Sequence, residues 1–549
     1  MGGSWGPSHQ YAPPPGRRLA RRRWPWLLVA GYAVWEYRPL VWLVLAVATM
    51  VGLAWGLSWW WLRRARAAAG SRDALAGGAE ALRERSRRLG GGAYLGVADG
   101  EWVCADPEHA VLVLGPPRSG KTSSIVIPSV LAAAGPVVST ATKPDVFEAT
   151  RRARGEVGQV WLFDPSGERV EWPSGVRRLS WSPVPAASSW DGALVIARAM
   201  AAAGSPGKGT SNEGHWRERS TALLAPLLRA AFVKDGQIGD VARWVLRAEL
   251  DEPRRVLEDG GEQVAADVLA GIAKTDERER SSILSATAGV LSAYNSDSVR
   301  RNAAHPNFDV ERFVDSCDTV YVTAPAHKQG LCAPLVVGLL EQIRYAVYAR
   351  AAEGVGRGVL PLFMCLDEVA NIAPIHDLPA LVSEAGGQGL HVLACLQDLS
   401  QARKRWGDAA ADGFMSLFQS KVILSGIGDA KTLEAVSVCL GEYDRDVVSR
   451  TLAHSQPEHE WRLSEFPGVL RRAPASYSES VAYSTRRQRV LSPGEVARLP
   501  AGRALYLQGV NWGLVGLTPW HSVWPWAQIG AGPGTGTILD KGHAGEYRE

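Results

Sequence analysis

Gly115, Gly120, Lys121 and Thr122 stand at the spacing GxxxxGK[ST] within "VLVLGPPRSGKTSSIVIP", residues 111–128. No other feature restricts the possible folds of this chain as strongly. Such a loop holds phosphate only when a buried strand delivers it and a helix carries the chain away, so that backbone N–H groups and the positive helix end converge on one anion. "AVLVLG" before the loop reads as that strand, and "TSSIVIPSVLAAA" after it as that helix. Pro116, Pro117, Arg118 and Ser119 complete the cradle. Lys121 is expected to neutralise the β and γ charges of ATP, and the Thr122 hydroxyl to ligate Mg2+. The loop requires an α/β fold but does not name a task.

Hydrolysis needs a second element. "VLPLFMCLDEVANI" supplies a candidate, an apolar strand ending in Asp367 and Glu368. An aspartate there can hold magnesium through water while the glutamate polarises an attacking water. The next strand, "LHVLACLQ", ends in Gln397, whose neutral amide is placed to sense the γ-phosphate. Lys121, Asp367, Glu368 and Gln397 are the catalytic candidates, with Thr122 and Asp367 at the metal.

Further apolar or β-branched runs occur at 136–141, 159–164, 318–324 and 420–426, separated by helical periodicity. That order predicts a mostly parallel sheet with helices on both faces. From Trp190 to His305 the strand signals stop, and an all-helical insertion is expected, with Trp216, Leu223, Leu224, Leu227 and Ala231 on one helix face. After Glu442 the text turns irregular and polar to about Arg486, before a last strand "RALYLQG".

The charge is unevenly placed. Residues 1–70 carry nine Arg and one Glu, a local +8, while the whole chain sums to +4, so the remainder is 4 − 8 = −4. A mildly acidic body argues against broad non-specific coating of nucleic acid. The basic excess instead flanks apolar segments. Leu40–Leu62 is 23 uncharged residues, enough to cross a bilayer core, and Trp24–Trp35 is a shorter apolar run. With "RRLARRR" before and "RRAR" after, a hairpin keeps both basic flanks on the cytoplasmic side; one span plus an interfacial segment is the alternative. The six cysteines are far apart with no CxxC pair, which implies a reducing compartment.

The expected organisation is therefore a basic N-terminus at 1–23, a membrane anchor at 24–62 and a juxtamembrane linker at 63–93. A first nucleotide-binding part follows at 94–189, the helical insertion at 190–305, a second nucleotide-binding part at 306–528 and a flexible tail at 529–549.

Six separated blocks, GPPRSGKT, "STATKPDVFEATRRAR", "VWLFDP", "WRERSTALLAPLL", "CLDEVANIAPI" and "GQGLHVLACLQDLSQARKRWG", together resemble the type IV secretion coupling proteins, the TraG and TraD relatives. The resemblance runs from about Ala110 to Gly509, in matching order. It implies a RecA-like P-loop core with an inserted helical domain, anchored in the plasma membrane with its ATPase part in the cytoplasm. It further implies a homo-hexameric ring that receives single-stranded DNA with its relaxase, or protein substrates, for a type IV secretion channel. Where many relatives carry a basic residue before the Gln397 strand, this chain has "EAGGQG", Glu384 to Gly389. Arg403 and Arg405 are the nearest substitutes for a guanidinium acting in trans. An FtsK-like or HerA-like DNA translocase, and a membrane docking receptor in which nucleotide only stabilises assembly, are the alternative readings.

Overall fold

The structure is a computed structural model that describes residues 92–169, 171–204, 212–353, 360–455, 461–463, 470–472, 476–522 and 526. All of them lie in one compact unit, Asp73–Glu549. The expected anchor, residues 24–62, and the tail from residue 529 fall outside the described residues.

A 12-stranded sheet forms the frame. In chain order its strands are β1 (Tyr94–Ala98), β2 (Glu101–Cys104), β3 (Val111–Leu114), β4 (Val137–Ala141), β5 (Val160–Phe163), β6 (Val176–Arg178), β7 (Thr319–Thr323), β8 (Leu362–Leu366), β9 (Leu390–Leu396) and β10 (Ser420–Leu424). β15 (Arg503–Gln508) and β16 (Asn511–Gly516) complete it. The spatial order is β2-β1-β16-β15-β10-β3-β9-β8-β4-β7-β5-β6. From β10 to β6 every pairing is parallel, whereas β15, β16, β1 and β2 add an antiparallel flank. Fully buried runs such as "VLVL" in β3 and "LHVLACL" in β9 are what strands covered on both faces require. Two hydrophobic clusters, one per face, sandwich the sheet.

The antiparallel flank holds three strands that the sequence reading omits, β1, β2 and β16. β1 and β2 are joined at Asp99-Gly100, both at positive φ (50° and 81°). That is the geometry an Asp-Gly hairpin turn favours. β16 returns beside β15 after Gly509, at φ 58°.

Between Trp190 and Ala303 the described residues build helices and no strand. Helix Glu213–Val233 runs through the middle and buries Leu223 to Leu228 nearly all round, against helices Trp190–Gly204 and Glu277–Val290 among others. Their core is continuous with one face of the sheet. The long helix Gln329–Ala352 packs on Trp190–Gly204, with the Trp181 ring closing over Gly338, where a Cβ would come within 2.6 Å of it. Among the described residues, one helix, Ala326–Ala352, is long and apolar enough to cross a membrane, and 67% of its most apolar stretch is buried inside the protein.

The expectation of irregular chain after Glu442 is wrong. β11 (Glu442–Ser455) and β14 (Ser476–Arg489) form a 14-pair antiparallel ribbon, and β12 (Trp461–Leu463) pairs with β13 (Leu470–Arg472). Neither face of the ribbon is buried, so its sequence lacks the regular alternation of apolar and polar residues that marks a half-buried strand.

Candidate nucleotide site

β3 lies between β10 and β9, and its loop emerges at the carboxyl end of the parallel strands, where open α/β sheets place their ligands. The Gly115 N–H donates to the Leu396 carbonyl of β9 (3.2 Å), which fixes where the loop begins. Gly115 is also sterically required: a Cβ there would lie 2.7 Å from Ser119 Oγ and 2.9 Å from Leu424 Cβ on β10. Arg118 (φ 63°) and Gly120 (φ 95°) turn the loop through left-handed backbone. Pro116 packs near Gly426 of the following β10 loop, and Pro117 and Arg118 face solvent. Helix Thr122–Ala132 leaves the loop with its first turn, Thr122–Val126, π-wound, a local widening of the kind found at functional sites.

Two strands away in the sheet, β8 delivers Asp367 and Glu368. The Thr122 hydroxyl donates to Asp367 Oδ2 at 2.8 Å, joining residues 245 apart in sequence. Lys121 is buried and donates to the Gly115 and Pro116 carbonyls. Burial pushes its ammonium below the usual lysine range, opposed by Cys395, Asp367 and Glu368. Burial pushes Asp367 up, opposed by the Thr122 hydrogen bond and Lys121, and reinforced by Glu368 and Asp145. Each group is thus strained by desolvation and relieved by the other.

Glu368 has left-handed backbone (φ 54°, ψ 48°), unusual for a residue with a side chain, and opens the short helix Val369–Ile372. Asn371 Nδ2 donates to its carboxylate at 3.3 Å. Gln397 follows β9, the strand between β3 and β8, so it sits at the same sheet edge; its backbone N–H donates to Gln401 Oε1 at 2.9 Å. Arg403 is committed to an ion pair with Asp429 (2.5 Å), and Arg405 donates to the Pro374 carbonyl (3.2 Å), so both proposed guanidinium substitutes are engaged within their own chain.

Sequence reading missed Asp145 as a neighbour of this site. It follows "TKP" after β4, the strand beside β8, and the signal that could have found it is an acidic residue opening the helix that follows a third adjacent strand. Asn371 was missed as well, although its spacing of three from Glu368 puts the two on one helical turn.

The residues fit a nucleotide with magnesium. Ser119 Oγ is buried in the cradle without a hydrogen-bond partner, which suits an anionic oxygen. A hydroxyl against a carboxylate is the hard-oxygen donor pair that magnesium takes alongside phosphate and water.

Fold and loop together define a phosphate-loop α/β protein. The profile of the family described as Type IV secretory system Conjugative DNA transfer matches residues 75–510. The chain belongs to that family, the type IV coupling proteins. It is 26% identical over 325 residues to an Escherichia coli conjugal transfer protein TraG, covering 54% of this chain and 49% of that one. It is 24% identical over 378 residues to the protein VirD4 of Rhizobium rhizogenes, covering 67% and 54% respectively. The chain thus spans about half the length of these curated relatives. Two structures of the coupling protein TrwB share the fold. The unbound TrwBdeltaN70 has a TM-score of 0.55 at 19% identity, covering 80% of this chain and 90% of that one. The complex with ADP and Mg2+ has a TM-score of 0.54 at 18% identity, covering 80% and 92%.

Proposed function

We propose that this protein is an ATPase that couples nucleotide hydrolysis to the transfer of DNA, as a relaxase-bound single strand, or of protein substrates into a type IV secretion channel. Residues 24–62 anchor it in the plasma membrane, the body lies in the cytoplasm, and six copies form the working ring. The observation that carries the reading is the Thr122–Asp367 contact, which brings the end of the phosphate loop against the acidic pair across β9. Family membership and the TrwB complex with ADP and Mg2+ support it.

The chain's own groups divide the work. Backbone N–H groups of Arg118, Gly120, Lys121 and Thr122 and the Ser119 hydroxyl hold phosphate oxygens, and Lys121 turns from its carbonyl partners to the charge at the β and γ positions. Thr122 and Asp367 hold magnesium, which when bound neutralises developing phosphate charge. Glu368, oriented by Asn371, accepts a hydrogen bond from the attacking water. Gln397 responds to loss of the terminal phosphate and passes the change to the Leu399–Trp406 helix behind it.

The test is ATP hydrolysis by the full chain with and without single-stranded DNA. Glu368→Gln should lower turnover by about 10²–10⁴-fold with ATP binding retained, and Lys121→Ala should lose binding. Absence of turnover under every condition, with nucleotide-dependent oligomers preserved, would overturn the motor and leave the docking receptor.

A further inference from the structure

The β11–β14 ribbon sorts its side chains in a way the nucleotide chemistry does not explain. Its 14 pairs run without a bulge, so at a rise of about 3.3 Å per residue it is an arm of roughly 45 Å. The root is clamped: Ser437 Oγ donates to the Leu491 carbonyl at 2.6 Å, and Arg489 grips Glu434 at 2.6 Å. Because side chains alternate, Glu442, Asp444, Asp446, Val448, Arg450 and Leu452 share one face with their partners Arg489, Arg487, Thr485, Tyr483, Val481 and Glu479. All four acids of this stretch fall on that face; the opposite face carries the Arg445–Arg486 pair and mostly Ser, Thr and Ala. Near the root the first face is an ion ladder of Arg487 with Glu442 and Asp444. Farther out it becomes apolar, and Val448, Tyr483, Val481 and Leu452 adjoin, with Tyr483 81% and Leu452 79% exposed. A two-stranded ribbon has no third layer to shelter such residues and is marginal alone. An apolar patch rimmed by Arg450 and Glu479 marks a contact surface.

A fitting receptor lies on the same chain. Leu491, Leu499, Pro500, Trp512 and Leu514 line a groove of about 510 Å³, together with Glu495 and Arg498. Trp512 and Leu514 remain partly exposed on β16 and Val510 almost wholly so. The charges complement: Arg450 and Glu479 beside the apolar patch match Glu495 and Arg498 in the groove. Within one chain the ladder carries the patch away from the groove: the groove begins at Leu491, two residues past the ribbon, whereas the patch begins at Val448, six residues out, roughly 20 Å along the ladder from the root.

We propose that the ribbon of one copy of this chain lays its Val448–Tyr483–Val481–Leu452 patch into the Leu491–Leu499–Trp512–Leu514 groove of a second copy. Giver and receiver surfaces differ, so each copy gives one arm and accepts another. An outer arm face of about 30 by 10 Å against its groove buries on the order of 600 Å² in total. Each arm-in-groove contact is thus about half of a standard interface, and the contact given and the contact received, made with two different neighbours, tie each copy to both. The proposal is independent of the hydrolytic reading, since none of these residues belongs to the nucleotide site.

Photo-crosslinking of the full chain tests it, with Tyr483 replaced by p-benzoylphenylalanine. The expected product joins two chains through peptides containing Trp512 or Leu514, shown to be intermolecular by mixing isotopically light and heavy copies. Crosslinks confined to one chain, or directed to other surfaces, would overturn it. In sedimentation, Leu452→Asp and Trp512→Ser should each weaken self-association about tenfold or more, and together no further than the stronger of the two. Nucleotide binding, unchanged in both variants, verifies the fold. Unaltered association in Leu452→Asp, including a case where only DNA binding falls, refutes the arm.

Discussion

Thr122→Val isolates the contact on which the candidate site rests. Valine keeps the β-branched shape and deletes only the hydroxyl that donates 2.8 Å to Asp367 Oδ2. Asp367 is 7% exposed, and burial already holds its carboxyl above the ordinary 3.8, with the Thr122 bond the foremost opposing influence. A hydrogen bond to a charged group is worth about 1.5–3 kcal/mol and one to a neutral group about 0.5–1.5 kcal/mol. The nucleotide-free variant should therefore lose about 1.5–3 kcal/mol near neutral pH. The sign with pH follows from proton binding. With its folded pKa raised, Asp367 binds more protons folded than unfolded above 3.8, so its contribution to stability grows as pH falls. Loss of the hydroxyl raises that pKa further. The cost of Thr122→Val should thus shrink toward the neutral value as the carboxyl protonates. Urea denaturation followed by tryptophan fluorescence, at neutral and mildly acid pH, measures it. In an Asp367→Asn background the same substitution should cost only about 0.5–1.5 kcal/mol at either pH. Equal costs with and without Asp367→Asn, or no pH dependence of the difference, would refute the reasoning.

Arg154 is fully buried and donates to Thr319 Oγ1 (2.7 Å) and to the carbonyls of Ala133, Gly135 (2.8 Å) and Cys317 (3.0 Å). Arg154→Met leaves these acceptors bare and should lower the urea midpoint by an amount equivalent to about 3 kcal/mol or more. Gly386→Ala would set a Cβ 2.0 Å from the Glu108 carbonyl oxygen, just before β3. It should cost about 1–3 kcal/mol in stability and weaken ATP binding measured by titration calorimetry. Glu341, held above the ordinary carboxyl range by burial despite its Arg344 partner, binds more protons folded than unfolded. Glu341→Gln should therefore raise the melting temperature near neutral pH, with the gain fading as pH falls through the carboxyl's own range.

The strands were legible where burial made them continuous apolar runs: β3, β4, β5, β7, β8, β9, β10 and β15 each sit on a run visible in the sequence. β6 was not legible, because "VRR" at a sheet edge lacks any such run. β1 and β2 could have been found from Asp99-Gly100, a turn signal passed over because neither strand alternates cleanly. The ribbon was not legible for a deeper reason: a strand pair with neither face packed on its own chain's core lacks the regular apolar–polar alternation that marks a strand.

Local chemistry is determined along the chain. The glycine spacing of 115–120, the lysine and hydroxyl after it, and the acidic ending of an apolar strand are constraints between near neighbours, and near neighbours are what a sequence orders. Which distant groups share a field was decided only by the sheet. β9 inserts between β3 and β8, so Thr122 reaches Asp367 across it, and β4 brings Asp145 alongside. The same packing withdraws Arg403 and Arg405 into contacts of their own chain. Such placements depend on strand order, and strand order is selected by burying both faces of the sheet at once, an energy summed over the whole core and written in no single segment.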